Sequence, residues 1–73
     1  MRDVKQAIGR RVRQLRQERK LSQESLAFSA GLDRTYISSV EMGKRNISIL
    51  NIYKIARALN IRVRELFDHA SFD

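Results

Sequence analysis

The stretch from Gly31 to Asn46 reads GLDRTYISSVEMGKRN and predicts a short helix with two unlike faces. On a helical period of about 3.6 residues, the side chains of the mainly apolar face are Tyr36, Ile37, Val40 and Glu41. The opposite face holds one long cation and three short hydroxyl side chains, namely Arg34, Thr35, Ser38 and Ser39. This second face lacks the Glu–Lys pairs that usually solvate an exposed helix, which raises the question of what the face contacts.

Another short helix is predicted directly before this one. Ser22 is a good N-cap for a helix that ends near Ala30, and Gly31 fits the position after a helix where a positive φ is often required. Asp33 can then cap the next helix, which leaves only a tight turn between the two. Two helices joined in this way are typical of a helix-turn-helix, here over about residues 22–42.

Three further helices complete what we expect to be one compact, all-α, five-helix domain over residues 1–73. The first is predicted from Asp3 to Lys20, the fourth after Ser48, and a short fifth from Arg62 to Phe67. Gly9 lies inside the first helix, and we expect a close approach of another helix there. The predicted apolar stripe of the fourth helix is Ile49, Ile52, Ile55, Ala56 and Leu59.

The composition indicates a polyanionic partner. The net charge is +7, and residues 1–20 hold eight basic and two acidic groups. Such an excess attracts nucleic acid or an anionic membrane surface. The apolar side chains of the first helix are better explained as core than as a membrane-binding face, and no stretch approaches the length of a membrane span. We expect a soluble, cytoplasmic protein.

The outward arginines of the first helix are expected to act by long-range attraction and solvation. The four that this concerns are Arg10, Arg11, Arg13 and Arg19.

The sequence does not indicate an enzyme. His69 is the only histidine, there is no cysteine, and no carboxylate cluster has metal-ligand spacing. There is no Gly-rich phosphate loop and no nucleophile–base pair. We therefore predict no metal, no cofactor and no small-molecule ligand.

The polar face of the third helix suits the major groove of double-stranded DNA. Arg34 can donate two hydrogen bonds to the O6 and N7 acceptors of guanine, and Thr35 can touch a thymine methyl group or hydrogen-bond a base. Ser38 and Ser39 are short enough for the backbone to approach DNA while still offering hydroxyl groups. The alternative is an ordinary solvated face.

Two flanking features favour the groove. Gln23 stands at the start of the second helix, where its side chain and the local N–H groups are expected to face outward, towards a phosphate. The basic loop Lys44–Arg45–Asn46 follows the third helix and can hold the DNA backbone on the far side.

Several short blocks resemble the lambda-repressor/Cro-type (XRE-like) helix-turn-helix family, over about Ile8 to Phe67. They are LSQ at 21–23, LA at 26–27, G at 31, IS at 37–38, E.GKR at 41–45 and IA.AL at 55–59. The short length and the blocks DRTYIS and RN.S resemble the restriction–modification controller proteins within that family. Ser25 departs from the pattern, because the family often has an acidic residue there to complete a capping box.

The resemblance implies a transcriptional regulator that binds DNA sequence-specifically, and it assigns roles to individual residues. Phosphate contacts are implied for Gln23, Lys44, Arg45 and Asn46, and base contacts for Arg34, Thr35, Ser39 and, as a further candidate, Ser38. Tyr36 matches a position at the groove edge, yet periodicity puts it beside the apolar face, so both placements stay open. Arg16 and Glu41 match residues that form an internal ion pair.

One recognition helix contacts too few base pairs for specificity in a genome, so we expect a homodimer on a pseudo-palindromic operator. The dimerisation region is predicted at about residues 48–73, with interface candidates Tyr53, Ile61, Val63, Phe67 and Phe72. RNA polymerase is a further candidate partner. The alternative function is a protein-binding module, such as an antitoxin or a polymerase-contacting adaptor, because fold does not fix function.

Overall fold

The fold was obtained as a computed structural model, which describes residues 3–68 and residue 72. This part of the chain holds five helices and no strand. The helices are α1 (Val4–Glu18), α2 (Gln23–Ala30), α3 (Arg34–Glu41), α4 (Ile49–Ala58) and α5 (Val63–Phe67). His69 lies outside the described residues.

Short polar side chains determine where the first four helices begin. The caps are Asp3, Ser22, Asp33 and Ser48, and each accepts a hydrogen bond from a backbone N–H two or three residues later. The predicted starts of α2, α3 and α4 are therefore confirmed. In α5, Glu65 reaches back and accepts from the N–H of Arg62 at 2.6 Å.

Residues with a positive φ end the helices and turn the chain. Gly31 has a φ of 69° and closes α2, so that Asp33 can begin α3 after a two-residue turn, as predicted. Gly43 has a φ of 75° just beyond α3. The first helix is shorter than predicted, because Lys20 adopts a φ of 56° and cannot continue it.

The core lies between α3 and the helices on either side of it. Ile37 and Leu26 are 0% exposed, and Val12 from α1 and Leu59 from the C-cap of α4 meet them in one cluster. Gly9 allows α1 to approach α3 closely, because the carbonyl oxygens of Val40 and Glu41 occupy the space that a Cβ would need. The predicted close approach at Gly9 is therefore confirmed.

Arg11 in α1 and Arg19 at the C-cap of α1 bind the ends of other helices, so the expectation of long-range attraction and solvation alone is wrong for these two arginines. Arg11 donates through Nε and Nη2 to the carbonyl of Glu65 at 3.0 and 2.9 Å. Arg19 donates through Nε to the carbonyl of Leu59 at 2.7 Å. The last carbonyls of a helix have no partner within the helix, and these guanidinium groups satisfy them.

The apolar stripe of α4 differs from the prediction at its first residue. Ile49 is 87% exposed, whereas Ile55 and Leu59 are buried and Ile52 is half-buried. Ile49 lies at the edge of the stripe on the helical period, so it does not reach the core. None of the helices in the described part of the chain is long and apolar enough to cross a membrane.

Candidate DNA interface

The two faces predicted for α3 are present in the structure. Ile37 and Val40 are 0% and 1% exposed and anchor the helix, whereas Arg34 and Thr35 are exposed at its first turn. Ser38 and Ser39 are half-buried on the same side as the exposed residues. The core thus fixes α3 by one face and leaves a face of small hydroxyl groups and one guanidinium open.

Asp33 organises the first turn of this helix. Its carboxylate accepts two hydrogen bonds from Thr35, one from the backbone N–H and one from Oγ1, both at 2.9 Å. These two hydrogen bonds lower the pKa of Asp33 below its ordinary value. The orientation of the Thr35 side chain is therefore set within the protein.

Arg45 lies against α3. Its guanidinium is 5.1 Å from the centre of the Tyr36 ring, and its Nε donates to Ser39 Oγ at 3.2 Å. A cation held over an aromatic ring remains available at its outer edge. The basic loop and α3 therefore form one continuous surface, to which Lys44 and Asn46 add exposed side chains.

Of the two placements that the sequence left open for Tyr36, the structure shows the one beside the apolar face, and the placement at the groove edge stays a prediction. The residue is half-buried and its ring packs on the core cluster. Its hydroxyl accepts a hydrogen bond from Asn51 Nδ2 at 3.1 Å, which ties α3 to α4. The ring thus supports α3 from within while its outer side meets Arg45.

The side chain of Gln23 does not face outward as expected. Its Nε2 donates to Glu41 Oε1 at 3.1 Å, and the residue is half-buried. The nearby buried carboxylate of Glu41 is a stronger hydrogen-bond acceptor for this amide than water is. The sequence around Gln23 does not indicate that this carboxylate lies close to it. The backbone of Gln23 still forms the first turn of α2.

Arg16 and Glu41 lie together beneath the interface. Arg16 donates through Nε and Nη2 to the two carboxylate oxygens of Glu41 at 2.6 and 3.0 Å. This pairing raises the pKa of Arg16 above its ordinary value. The negative charge of Glu41 is therefore neutralised inside the protein and does not oppose a polyanion.

A family model for the helix-turn-helix matches residues 12–66, which include α2, α3 and most of the core. This chain belongs to the XRE-type helix-turn-helix family. It is accordingly a DNA-binding transcriptional regulator of that type.

Relatives and solved structures agree with this membership. The chain is 50% identical over 68 residues to the control protein C.MunI from Mycoplasma, covering 92% of both chains. The restriction–modification controller protein C.AhdI from Aeromonas hydrophila is 54% identical, with a TM-score of 0.85 over 86% of this chain and 96% of that one. SinR, which is known from Bacillus subtilis and has been solved in complex with DNA, is 37% identical, with a TM-score of 0.78 over 84% and 98% of the two chains.

In this helix-turn-helix chain, α4 and α5 present apolar side chains to solvent. Tyr53, Val63 and Phe67 are 48%, 39% and 39% exposed, while Ile61 and Phe72 are half-buried against their own core. The Phe72 ring also meets the Phe67 ring edge-on, at 5.3 Å between centroids. Ile49 and Leu50, which are 87% and 60% exposed, belong to this apolar surface as well, although neither was among the predicted interface residues and Ile49 was predicted to face the core.

Proposed function

We propose that this chain binds a pseudo-palindromic operator as a homodimer and regulates restriction–modification genes. The observation that carries the proposal is the open face of α3, where Arg34 and Thr35 are exposed while Ile37 is fully buried behind them. The likeness to C.MunI and to the controller protein C.AhdI supports the choice of genes.

Base contacts come from the face of α3. Arg34 at the first position of the helix donates to guanine, since a guanidinium matches the O6 and N7 acceptors. Thr35, Ser38 and Ser39 contact neighbouring bases through hydroxyl and methyl groups.

Phosphate contacts flank α3 on both sides. Lys44, Arg45 and Asn46 hold the DNA backbone beyond α3. Gln23 contributes through its backbone N–H in the first turn of α2, where free N–H groups favour an anion, while its side chain stays bound to Glu41. Tyr36 lies under Arg45 and orients it towards a phosphate, with its own hydroxyl as a second candidate contact.

The dimer forms through α4, α5 and the segment that follows, over about residues 48–73. On the helical period, Ile49, Leu50 and Tyr53 form a second apolar stripe beside the one that faces the core. The core of the domain covers only one of these two stripes, so the other remains exposed to solvent unless a second copy of the chain covers it. Val63, Phe67, Ile61 and Phe72 extend the same interface.

Arg34 and Arg45 should differ in how their loss affects binding. Arg34→Ala should weaken the preference at one base pair by about 1–3 kcal/mol, because a bidentate base contact is lost. Arg45→Ala should weaken binding to every sequence and reduce the slope of log K against log salt concentration by about 1 per protomer, because each protomer loses a phosphate contact. Selection of bound random DNA, followed by titration at several salt concentrations, measures both.

Arg13→Ala is the matched control, since Arg13 is an exposed arginine of α1 for which no base or phosphate contact is proposed. It should leave base preference unchanged. Equal losses on every sequence for Arg34→Ala and Arg45→Ala would refute the division between base and phosphate contacts. A selection that enriches no inverted repeat would refute operator binding.

The dimer should depend on Leu50. Leu50→Glu should raise the dimer dissociation constant by at least about thirtyfold, because a charge is placed in an apolar contact. Phe28→Glu, which changes an 87% exposed residue on the outer side of α2, is the control and should remain dimeric. Sedimentation velocity distinguishes the two, and a wild-type monomer at tens of micromolar, with and without operator, would contradict the proposal.

A protein-binding role is the second candidate function. Phe28 lies on the side of α2 opposite the buried residues Leu26 and Ala27. Its exposed aromatic ring therefore does not contribute to the core and is available for contact with another molecule. Such a ring suits contact with a protein such as RNA polymerase or a toxin. This role would replace operator binding if the random-DNA selection enriched nothing.

A further inference from the structure

The hydroxyl proton of Thr35 is committed within the protein. Thr35 Oγ1 lies 2.9 Å from Asp33 Oδ1, and an ionised carboxylate can only accept a hydrogen bond. Asp33 is ionised at neutral pH, since the hydrogen bonds from Thr35 lower its pKa further. The Thr35 hydroxyl must therefore be the donor in this contact.

The hydroxyl proton of Ser39 is committed in the same way. Its Oγ lies 2.8 Å from the carbonyl oxygen of Thr35 and 3.2 Å from that of Tyr36, and a carbonyl can only accept. Arg45 Nε donates to the same Oγ at 3.2 Å, which agrees with an oxygen whose proton points elsewhere.

A hydroxyl has one proton, so these two side chains can only accept hydrogen bonds from DNA. In the major groove the donors are the amino groups of adenine and cytosine, whereas guanine and the O4 of thymine only accept. Neither hydroxyl can therefore satisfy a guanine, which leaves Arg34 and the Ser38 hydroxyl as the donors on this face of α3. The methyl group of Thr35 takes no part in the contact with Asp33, so it is available for an apolar contact with a base.

We propose that Asp33 determines part of the operator specificity by holding Thr35 as an acceptor with a free methyl group, which selects an A·T pair. An A·T pair alone offers both an amino donor on adenine and a methyl group on thymine in the major groove. A G·C pair offers the cytosine amino group without the methyl group. Asp33 is thus a positioning residue that acts through Thr35, and this inference rests on the proposed operator binding.

The test compares base preference in Asp33→Ala and Asp33→Asn. Asp33→Ala frees the Thr35 hydroxyl to donate, and should reduce the preference for A·T at one base pair about three- to tenfold, the range of a single hydrogen bond. Asp33→Asn keeps an oxygen that accepts from Thr35, so it should keep the preference. It should also bind every sequence more tightly, because one negative charge beside the phosphates is removed.

Asp3→Ala is the matched control, because Asp3 caps α1 by accepting from the N–H of Lys5 at 3.0 Å, on a different helix. It should leave the preference unchanged at every position. Thr35→Ser keeps the cap and the hydroxyl contact but lacks the methyl group, so it should lose discrimination between A·T and G·C at the same pair. This variant tests the proposal even where Asp33→Ala is poorly folded.

Binding is measured on a library that varies each half-site position, and circular dichroism verifies folding. An unchanged preference in both Asp33→Ala and Thr35→Ser would overturn the inference and leave operator binding intact. A loss in Asp33→Asn equal to that in Asp33→Ala would overturn it as well, because the charge would then be responsible. If the wild-type chain selected no sequence, the inference and the proposed function would both fall.

Discussion

Glu41→Ala is expected to lower the free energy of unfolding by about 3–5 kcal/mol, a large part of the stability of a small domain. The Glu41 side chain is only 4% exposed, and the Arg16 side chain that it pairs with is 11% exposed. Removing the carboxylate leaves a guanidinium largely out of water without its counter-charge. The cost of an uncompensated buried charge exceeds the value of the pair itself.

The effect reaches three helices, because Glu41 and Arg16 together join them. Glu41 at the end of α3 also accepts from Gln23 of α2 at 3.1 Å. Arg16 of α1 also donates through Nη1 to the carbonyl of Leu21 at 2.8 Å, in the turn between α1 and α2. The loss of Glu41 therefore loosens the support of α3 at its C-terminal end.

Urea unfolding followed by circular dichroism measures the change. Glu24→Ala, at an exposed glutamate in the first turn of α2, is the control and should change stability by less than about 0.5 kcal/mol. Arg16→Leu combined with Glu41→Leu should recover much of the loss, because no unpaired charge remains. A Glu41→Ala domain within about 1 kcal/mol of wild type would contradict the structural role of the pair.

Much of the fold could be predicted because its determinants are local in the sequence. The caps Ser22, Asp33 and Ser48 and the turn at Gly31 act within three residues of their own positions, so their spacing identifies them directly. The inner face of α3 follows from the helical period for the same reason. The hydroxyl contact between Asp33 and Thr35 was equally local, and an aspartate cap followed two residues later by threonine would have indicated it.

The contacts that the sequence analysis missed depend on which helix ends meet. Arg11 binds a carbonyl 54 residues away and Arg19 one 40 residues away, so no local pattern distinguishes them from solvated arginines. Gln23 turns towards Glu41 only because the two helices cross there. The exposure of Ile49 depends on how α4 is rotated about its axis relative to the core. The apolar stripe of α4 is wider than the face that contacts the core, so the sequence does not determine this rotation.

Gly9→Ala is expected to lower the free energy of unfolding by about 2–3 kcal/mol, although helix propensity alone predicts the opposite sign. A Cβ at this position would lie 2.9 Å from the carbonyl oxygen of Glu41 and closer still to that of Val40. Both obstacles are backbone atoms of α3, so they cannot rotate aside as a side chain would. The helices α1 and α3 must separate, and core contacts between them are lost.

The sign of the change in stability distinguishes a steric clash at Gly9 from an effect of helix propensity. Replacing glycine by alanine in a helix interior normally stabilises by up to about 1 kcal/mol, so a steric cost has to exceed that gain before destabilisation is seen. Gln17→Ala, at an exposed position of the same helix, is the control and should be neutral or slightly stabilising. If urea unfolding found Gly9→Ala as stable as wild type or more so, α1 and α3 could separate at little cost, and the close approach at Gly9 would not be what holds α3 in place.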